Sequence, residues 1–196
     1  MTLSVCIFCS ASESIGEADR AVAADLGRSL ADRGWRLVYG GGDIGLMGEI
    51  ARAALNAGGH VTGVIPHRLA DREIALEHVT ELIRTETMRE RKALMDERAD
   101  AFVVLPGGIG TLEELVEILT LKQLGYHERP VVMLDPTGFW APFREQIARI
   151  VDRGLAPSSL LGSWVDVTDV HGALQAIGVT GPHQHVPEGR ERLEAG

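Results

Sequence analysis

Residues 101–124 read AFVVLPGGIGTLEELVEILTLKQL, and this stretch indicates the fold class of the chain. An apolar, β-branched run over Ala101–Leu105 predicts a buried strand. A short glycine-rich loop follows, and apolar residues at helical spacing then predict a helix over Thr111–Leu124. A strand, a glycine loop and a helix in this order are typical of a βαβ unit in a parallel sheet.

The same alternation of strands and helices runs along most of the chain. Strands are predicted near Ser4–Ser10, Arg36–Tyr39, Val61–Ile65, Ala101–Leu105, Pro130–Leu134 and Trp164–Val167, with His78–Ile83 a candidate for one more. Helices are predicted near Gly16–Arg33, Leu46–Ala57, Met88–Arg98, Thr111–Leu124, Phe139–Arg153 and Val170–Ile177. This pattern predicts an α/β fold with a mostly parallel sheet covered by helices on both faces. Because such sheets bind ligands beyond the carboxyl ends of their strands, the loops that leave strands are the candidate sites.

Composition restricts the classes of function. The chain has 196 residues and is 45% hydrophobic, which suits one compact domain, predicted over residues 1–180. The polar segment 181–196 has little apolar periodicity, so we expect a poorly ordered tail. A net charge of −9 argues against a general nucleic-acid or anionic-membrane binder. No apolar run approaches the roughly 20 residues of a membrane span, and MTLSVCIFCS lacks the features of a signal peptide, so we expect a cytoplasmic protein.

The two cysteines form a Cys6-x-x-Cys9 pair inside a predicted strand. A redox pair of this spacing normally opens a helix, where the helix dipole lowers the pKa of the thiol. An odd separation along a strand instead places the two side chains on opposite faces. A structural metal would need about four ligands, so buried, reduced cysteines are the favoured interpretation.

Two loops that follow strands have ambiguous roles. The hydroxyls of Ser10 and Ser12 can bind a ligand oxygen, but they can equally cap the next helix. The segment Gly40–Gly48, YGGGDIGLMG with its preceding tyrosine, satisfies G-x-G-x-x-G literally, and Gly41 and Gly42 would allow a phosphate close to the backbone. However, the loop follows the second strand rather than the first, and the next strand does not end in the acidic residue expected for a ribose. A dinucleotide site is therefore not favoured for this loop, and the alternative is a tight turn that packs the helix closely on the strand.

The glycine loop before Thr111 is an anion-binding candidate. Backbone amides at a helix N-terminus, together with the helix dipole, attract a phosphate. Two carboxylates follow directly, Glu113 and Glu114. Thr111-x-x-Glu114 has the spacing of a capping box, which would make Glu114 structural. The alternative is that the loop and the carboxylate bind different parts of one ligand.

A second candidate is the predicted helix that starts at Met88. Helical spacing places Met88, Arg91, Lys92 and Met95 on one face. An apolar base could lie against the methionines while Arg91 or Lys92 meets a phosphate. Core methionines beside surface cations are the favoured interpretation of this stretch when it is considered alone.

Taken together, these segments carry a family resemblance. Residues 106–114, PGGIGTLEE, match the motif P-G-G-x-G-T-x-x-E; Met88-x-x-Arg91-Lys92 precedes them, and Gly40–Gly48 lies upstream. The chain resembles, over roughly Ser4–Ile177, the LOG ("Lonely guy") family of cytokinin riboside 5′-monophosphate phosphoribohydrolases, often labelled lysine decarboxylase-like.

The resemblance implies a Rossmann-like three-layer sandwich, a homodimer with active sites near the subunit interface, and no cofactor or metal. It implies hydrolysis of the N-glycosidic bond of N6-modified AMP to free base and ribose 5-phosphate. Arg91 and Glu114 are implied as catalytic. The implied substrate contacts, with the loop candidates above, are Ser10, Gly41, Gly42, Glu73, Met88, Arg91, Lys92, Gly108, Ile109, Gly110, Thr111, Leu112, Glu113, Glu114 and Thr120.

Three other functions compete with this one. Decarboxylation with pyridoxal phosphate needs a Schiff-base lysine, and the chain has only Lys92 and Lys122. A non-catalytic nucleotide-binding protein would use the same loops. A general AMP nucleosidase would act without preference for an N6 substituent, and the sequence does not separate it from a cytokinin-activating enzyme.

Overall fold

A seven-stranded sheet organises the protein, with strand order β4-β3-β2-β1-β5-β6-β7. The computed structural model describes residues 2–70 and 74–178, so Glu73 and the predicted tail at 181–196 lie outside the described residues. All neighbouring strands pair in parallel. The strands are β1 Ser4–Phe8, β2 Arg36–Tyr39, β3 Val61–Pro66, β4 Glu81–Thr85, β5 Ala101–Val104, β6 Val131–Leu134 and β7 Val165–Val167. The predicted α/β class with a parallel sheet is confirmed.

Helices connect the strands. They are α1 Glu17–Asp32, α2 Gly45–Asn56, α3 His67–Ala70, α4 Met88–Glu97, α5 Ile109–Gln123, α6 Ala141–Asp152 and α7 Val170–Gly178, with a 3₁₀ helix at Ser158–Gly162. All six predicted helices are present, with ends within two residues of the predicted ones. The short α3 and the 3₁₀ helix have too few residues for a periodic pattern. The candidate strand His78–Ile83 lies later, at Glu81–Thr85, because this edge strand is only partly buried and its apolar pattern is weak.

The core lies in two layers, one on each face of the sheet. One layer packs apolar residues of α1, α2 and α7 against the sheet. The other packs residues of α4 and α5 against the opposite face. Cys6 belongs to the second layer and Cys9 to the first, and both are free thiols. The prediction of reduced, buried cysteines on opposite faces is therefore confirmed.

The strand order locates the ligand crevice. β1 lies between β2 and β5, so the chain leaves β1 toward one half of the sheet and later returns to fill the other half. Such a switch point opens a crevice at the carboxyl ends of the two central strands. No helix among residues 2–70 and 74–178 is both long enough and apolar enough to cross a bilayer.

Candidate active site

A cavity of about 370 Å³ opens at this switch point. Its wall is formed by the end of β1 and the loop after it, the first residue after β2, one residue of α2, two residues of α4, and the beginning of α5. The lining residues are Ile7, Cys9, Ser10, Ala11, Ser12, Gly40, Met47, Arg91, Met95, Gly108, Ile109, Gly110, Thr111 and Glu114. A wider groove of about 470 Å³ lies along α1 and α2, away from the carboxyl ends of the strands, where parallel sheets bind ligands.

Most of the glycine loop after β2 packs against protein, and only its residues Gly40 and Met47 line the cavity. The first amides of α2, those of Leu46 and Met47, donate to the Ser10 carbonyl at 2.9 and 3.4 Å. A Cβ on Gly45 would lie 2.7 Å from that same oxygen, so the loop after β1 sits directly on the start of α2. Because the Ser10 carbonyl occupies the helix terminus that would hold a dinucleotide phosphate, the geometry supports the packing-turn interpretation.

Gly41 and Gly42, predicted to contact substrate, face the segment that precedes β4. Gly41 has a φ of +80°, which glycine adopts without the strain of other residues, and its carbonyl accepts from the Leu76 amide at 3.0 Å. Gly42 forms an isolated bridge with Ala75. Neither glycine lines the cavity, whereas the preceding Gly40 does.

Helix α5 begins two residues earlier than predicted, at Ile109, with Gly108 as its N-cap. The predicted capping box is therefore wrong, because Thr111 is already the third residue of the helix. Thr111 is buried and packs on Gly107, where a Cβ would lie 2.2 Å from the threonine hydroxyl oxygen. Sequence reasoning placed the start too late because Gly110 disfavours a helix and threonine is a common N-cap.

The start of α5 presents backbone donors to the cavity. The first intrahelical bond runs from the Leu112 amide to the Gly108 carbonyl, so the amides of Ile109, Gly110 and Thr111 precede it. No described atom lies within 4 Å of a Cβ built on Gly108 or Gly110, and neither has a positive φ. Open space therefore adjoins a helix N-terminus, which is the geometry of an anion site.

Two ionic groups face the same cavity, Glu114 in the second turn of α5 and Arg91 on α4. Arg91 is only 5% exposed; its Nε donates to the Val64 carbonyl at 3.0 Å and its Nη2 to the Gly40 carbonyl at 2.9 Å. Burial raises the pKa of the nearby Cys9 thiol, the Glu114 carboxylate raises it further, and Arg91 lowers it. Cys9 is thus a neutral wall of the cavity rather than a thiolate nucleophile.

Helix α4, which carries Arg91, has a capped start that the sequence analysis missed. The Thr87 hydroxyl accepts from the Glu90 amide at 3.1 Å, and the Glu90 carboxylate accepts from the Glu86 amide at 2.9 Å. This reciprocal pattern resembles a capping box and holds the first turn of the helix. Met88 in that turn is half-exposed, and its sulfur lies 3.8 Å from Nη1 of Arg91.

The other predicted contacts lie around the cavity rather than in its lining. Lys92 bridges α4 to α5 through Glu113 at 2.5 Å and Glu117 at 2.9 Å. Burial lowers the pKa of Lys92, but the two carboxylates outweigh this and raise it above the ordinary 10.5. Leu112 packs on the second core layer, and the hydroxyl of Thr120 donates to the Val116 carbonyl of its own helix.

Sequence reasoning did not assign several lining residues to the site. Three of them have an apolar or sulfur-containing side chain: Ile7, Cys9 and Met47. Ile7 and Cys9 alternate along β1 and read as ordinary core, and Met47 reads as a buried helix residue. Only the strand order, which joins β1 to β5, brings them together. No group of three or more His, Cys, Asp or Glu residues in the described part of the chain could hold a metal ion.

Comparisons with known proteins agree with this geometry. A family model described as "Possible lysine decarboxylase" matches residues 47–177. A cytokinin riboside 5′-monophosphate phosphoribohydrolase of Mycobacterium tuberculosis is 44% identical over 88% of this chain and 91% of its own. Another, from Arabidopsis thaliana, is 44% identical over 79% of this chain and 73% of its own.

Among solved structures, a molybdenum cofactor carrier protein of Chlamydomonas reinhardtii shares the fold. Its TM-score is 0.69 and its identity 25%, over 91% of this chain and 98% of its own. The chain carries the glycine-loop motif at the switch point and is 44% identical to two phosphoribohydrolases over most of its length. It therefore belongs to the LOG family.

Proposed function

We propose that this protein hydrolyses the N-glycosidic bond of N6-modified AMP, releasing the free base and ribose 5-phosphate. One observation carries the proposal: a single cavity contains an uncapped helix N-terminus and, in the second turn of the same helix, the carboxylate of Glu114. The names of the relatives from Mycobacterium tuberculosis and Arabidopsis thaliana support this choice of reaction.

The start of α5 would bind the 5′-phosphate. The amides of Ile109, Gly110 and Thr111 point along the helix axis toward the cavity, and the helix dipole adds partial positive charge there. The open space over Gly108 and Gly110 lets phosphate oxygens approach the backbone. Ser10 and Ser12 also line the cavity, and their hydroxyl oxygens accept from the amides of Ser12 and Ser14 at 3.0 and 3.2 Å.

Glu114 would act at the ribose. Cleavage of an N-glycosidic bond develops positive charge on the sugar, as in an oxocarbenium ion. A carboxylate in a partly enclosed cavity stabilises that charge, or takes a proton from the attacking water. The Arg91 guanidinium, held by two backbone carbonyls, adds a fixed positive charge to the same wall.

Decarboxylation with pyridoxal phosphate fits the geometry poorly. Neither Lys92 nor Lys122 lines the cavity. A Schiff base forms from a neutral amine, and the ion pairs of Lys92 favour its charged form. The Lys122 ammonium donates to the Arg129 carbonyl at 2.8 Å. Lys122 lies in the last turn of α5, at the opposite end of the helix from Gly108.

We also propose a cytoplasmic homodimer that binds neither nucleic acid nor membranes. The net charge of −9 disfavours both polyanionic partners. Three exposed apolar residues, Ile109, Val116 and the C-cap Leu124, lie with Thr120 along one side of α5, which they share with the exposed Glu113. These three apolar residues and Thr120 are here called the α5 outer face. Since this face starts at the cavity and runs along the same helix, a second chain bound there would lie beside the active site.

Base release is the direct test. The purified protein is incubated with AMP and, separately, with N6-isopentenyl-AMP, and free base is quantified by chromatography. We expect wild type to release base, faster from the prenylated nucleotide. Glu114→Gln, which keeps the side-chain volume, should lose roughly 10²–10⁴-fold in rate. Glu117→Gln is the matched control, because Glu117 lies on the same helix and pairs with Lys92 outside the cavity.

Each contrary result has a specific meaning. Equal rates for wild type and Glu114→Gln would remove Glu114 from the mechanism. Binding of both nucleotides without base release would replace the hydrolase with a nucleotide-binding protein. Equal rates from AMP and N6-isopentenyl-AMP would indicate a general AMP nucleosidase.

A further inference from the structure

The orientation of Arg91 depends on the backbone just after β2 and within β3. Its guanidinium reaches from α4 and donates to two carbonyls, that of Gly40 directly after β2 and that of Val64 inside β3. Two hydrogen bonds from one planar group to two fixed acceptors determine the plane of that group. A charged side chain that is 5% exposed needs such partners, because an unsolvated cation is costly.

Gly40 is the residue that leaves room for this arrangement. A Cβ at Gly40 would lie 2.1 Å from Nη2 of Arg91 and 2.9 Å from the sulfur of Met47. The φ of Gly40 is not in the left-handed region, so its backbone does not require glycine. Steric demand from the guanidinium is therefore the reason for glycine here, in contrast to Gly41, whose φ is +80°.

We propose that Gly40 is a positioning residue of the active site, acting through Arg91. The missing side chain and the Gly40 carbonyl together hold the guanidinium in the cavity wall that also contains Glu114. The charge is thus oriented before substrate binds, so that no reorganisation is needed during the reaction. This inference rests on the proposed function for its catalytic consequence, and on the geometry alone for the coupling between the two residues.

A double-mutant cycle tests the coupling. Gly40→Ala, Arg91→Lys and the double variant are compared with wild type for kcat, KM and thermal unfolding. Lysine has no Nη2, so it relieves the clash with the new methyl group. We expect Gly40→Ala to lose about 100-fold in kcat, the effect of a displaced catalytic group. Because Arg91→Lys has already removed the group that Gly40 positions, the double variant should match Arg91→Lys within about 2-fold.

Two alternatives would overturn the proposal. If the kcat of the double variant falls by the product of the two single losses, Gly40 acts independently of Arg91. Recovery of Gly40→Ala activity by adding Met47→Ala would assign the effect to the contact with the Met47 sulfur. A wild-type kcat in Gly40→Ala would likewise contradict the proposal.

Folding and function remain separable in this design. If Gly40→Ala alone fails to fold, folding of Gly40→Ala/Arg91→Lys supports the steric coupling, whereas failure of both assigns Gly40 a purely structural role. If wild type releases no base, the proposed reaction fails, and the same cycle is measured on the dissociation constant of AMP. Non-additivity there supports the coupling of Gly40 to Arg91, and additivity overturns it.

Discussion

The glycines around the start of α5, Gly107, Gly108 and Gly110, occupy their positions for different physical reasons. Gly107 is required by the protein itself, because a Cβ there would collide with the side chain of Thr111. At Gly108 and Gly110 no described atom beyond the neighbouring backbone lies within 4 Å of the position that a Cβ would take, and neither φ is positive, so neither a packing contact nor a left-handed backbone explains them. Glycine inside a helix costs stability, which makes Gly110 the more informative of the two. Room for a ligand explains both glycines, and at Gly108 the preference of N-cap positions for glycine adds to it.

Gly110→Ala should therefore separate stability from substrate binding. Alanine has the higher helix propensity, so we expect the free energy of unfolding to rise by about 0.5 kcal/mol. The new methyl group would project toward the phosphate position, so the KM for N6-isopentenyl-AMP should rise about tenfold. Urea unfolding and initial rates of base release measure the two quantities on the same preparation.

Gly172→Ala is the matched control for this substitution. Gly172 also lies near the start of a helix, α7, and a Cβ there would meet only ordinary contacts at 3.4 Å. It does not line the cavity, so its replacement should leave KM unchanged. An unchanged KM in Gly110→Ala as well would show that substrate does not use the space beside Gly110.

At the scale of single elements, periodic patterns were sufficient for the strands and helices but not for the details of their ends. The apolar run before Gly107 and the helical spacing after it predicted β5 and α5, because burial of one face determines both. The start of α5 was misplaced, since propensity and capping preferences are local whereas the fit of Thr111 on Gly107 is a tertiary contact.

The candidate site was predictable in part for the same reason. Arg91 and Glu114 lie in separate motifs, and the structure brings both to one cavity. Cys9 and Met47 reach that cavity only through strand order and helix docking, which no local pattern contains. The carbonyl partners of Arg91 at Gly40 and Val64 are equally invisible in the sequence, because every residue offers the same backbone acceptor whatever its side chain.

The α5 outer face gives the element-scale prediction. Val116 is 43% exposed in the middle of this face, and Val116→Lys would place a charge in the proposed interface. We expect wild type to sediment at twice the chain mass and Val116→Lys to sediment as a monomer at micromolar concentration. Analytical ultracentrifugation measures both.

Val165→Lys provides the comparison for this result. Val165 is an exposed valine of similar accessibility, 48%, but it lies on the edge strand β7 rather than on α5. The Val165→Lys variant should remain dimeric if the α5 outer face is the interface. Monomeric wild type would reject the dimer, and a dimeric Val116→Lys would move the interface elsewhere on the surface.

At the scale of the whole molecule, the buried side chain of His127 links folding to pH. The ring is 9% exposed, tilts against Phe102 at a centroid distance of 5.6 Å, and lies 3.1 Å from the Ile118 carbonyl through Nε2. Burial lowers the pKa of His127 below its ordinary 6.5, and the positive charge of Arg129 lowers it further. The folded protein therefore holds this histidine neutral at a pH where the unfolded chain would protonate it.

The sign of the pH dependence follows from proton uptake. As the pH falls below 6.5, the unfolded chain binds a proton at His127 that the folded chain does not bind until its lowered pKa is reached. Stability is complete above pH 6.5 and decreases as the pH falls through this window. We expect the lowered pKa of His127 to contribute to the loss in unfolding free energy between pH 7 and pH 5.5.

Replacing His127 by glutamine should remove this share of the pH dependence, because glutamine does not titrate. Urea unfolding at pH 7 and pH 5.5 gives the loss of stability for each protein. His171→Gln is the control, since His171 is exposed on α7 and its replacement should leave the pH dependence of wild type. If His127→Gln loses as much stability as wild type between the two pH values, the acid sensitivity of the fold arises from other groups. A smaller loss in His127→Gln alone would identify one buried imidazole, beneath the helix that carries Glu114, as a determinant of folding at acid pH.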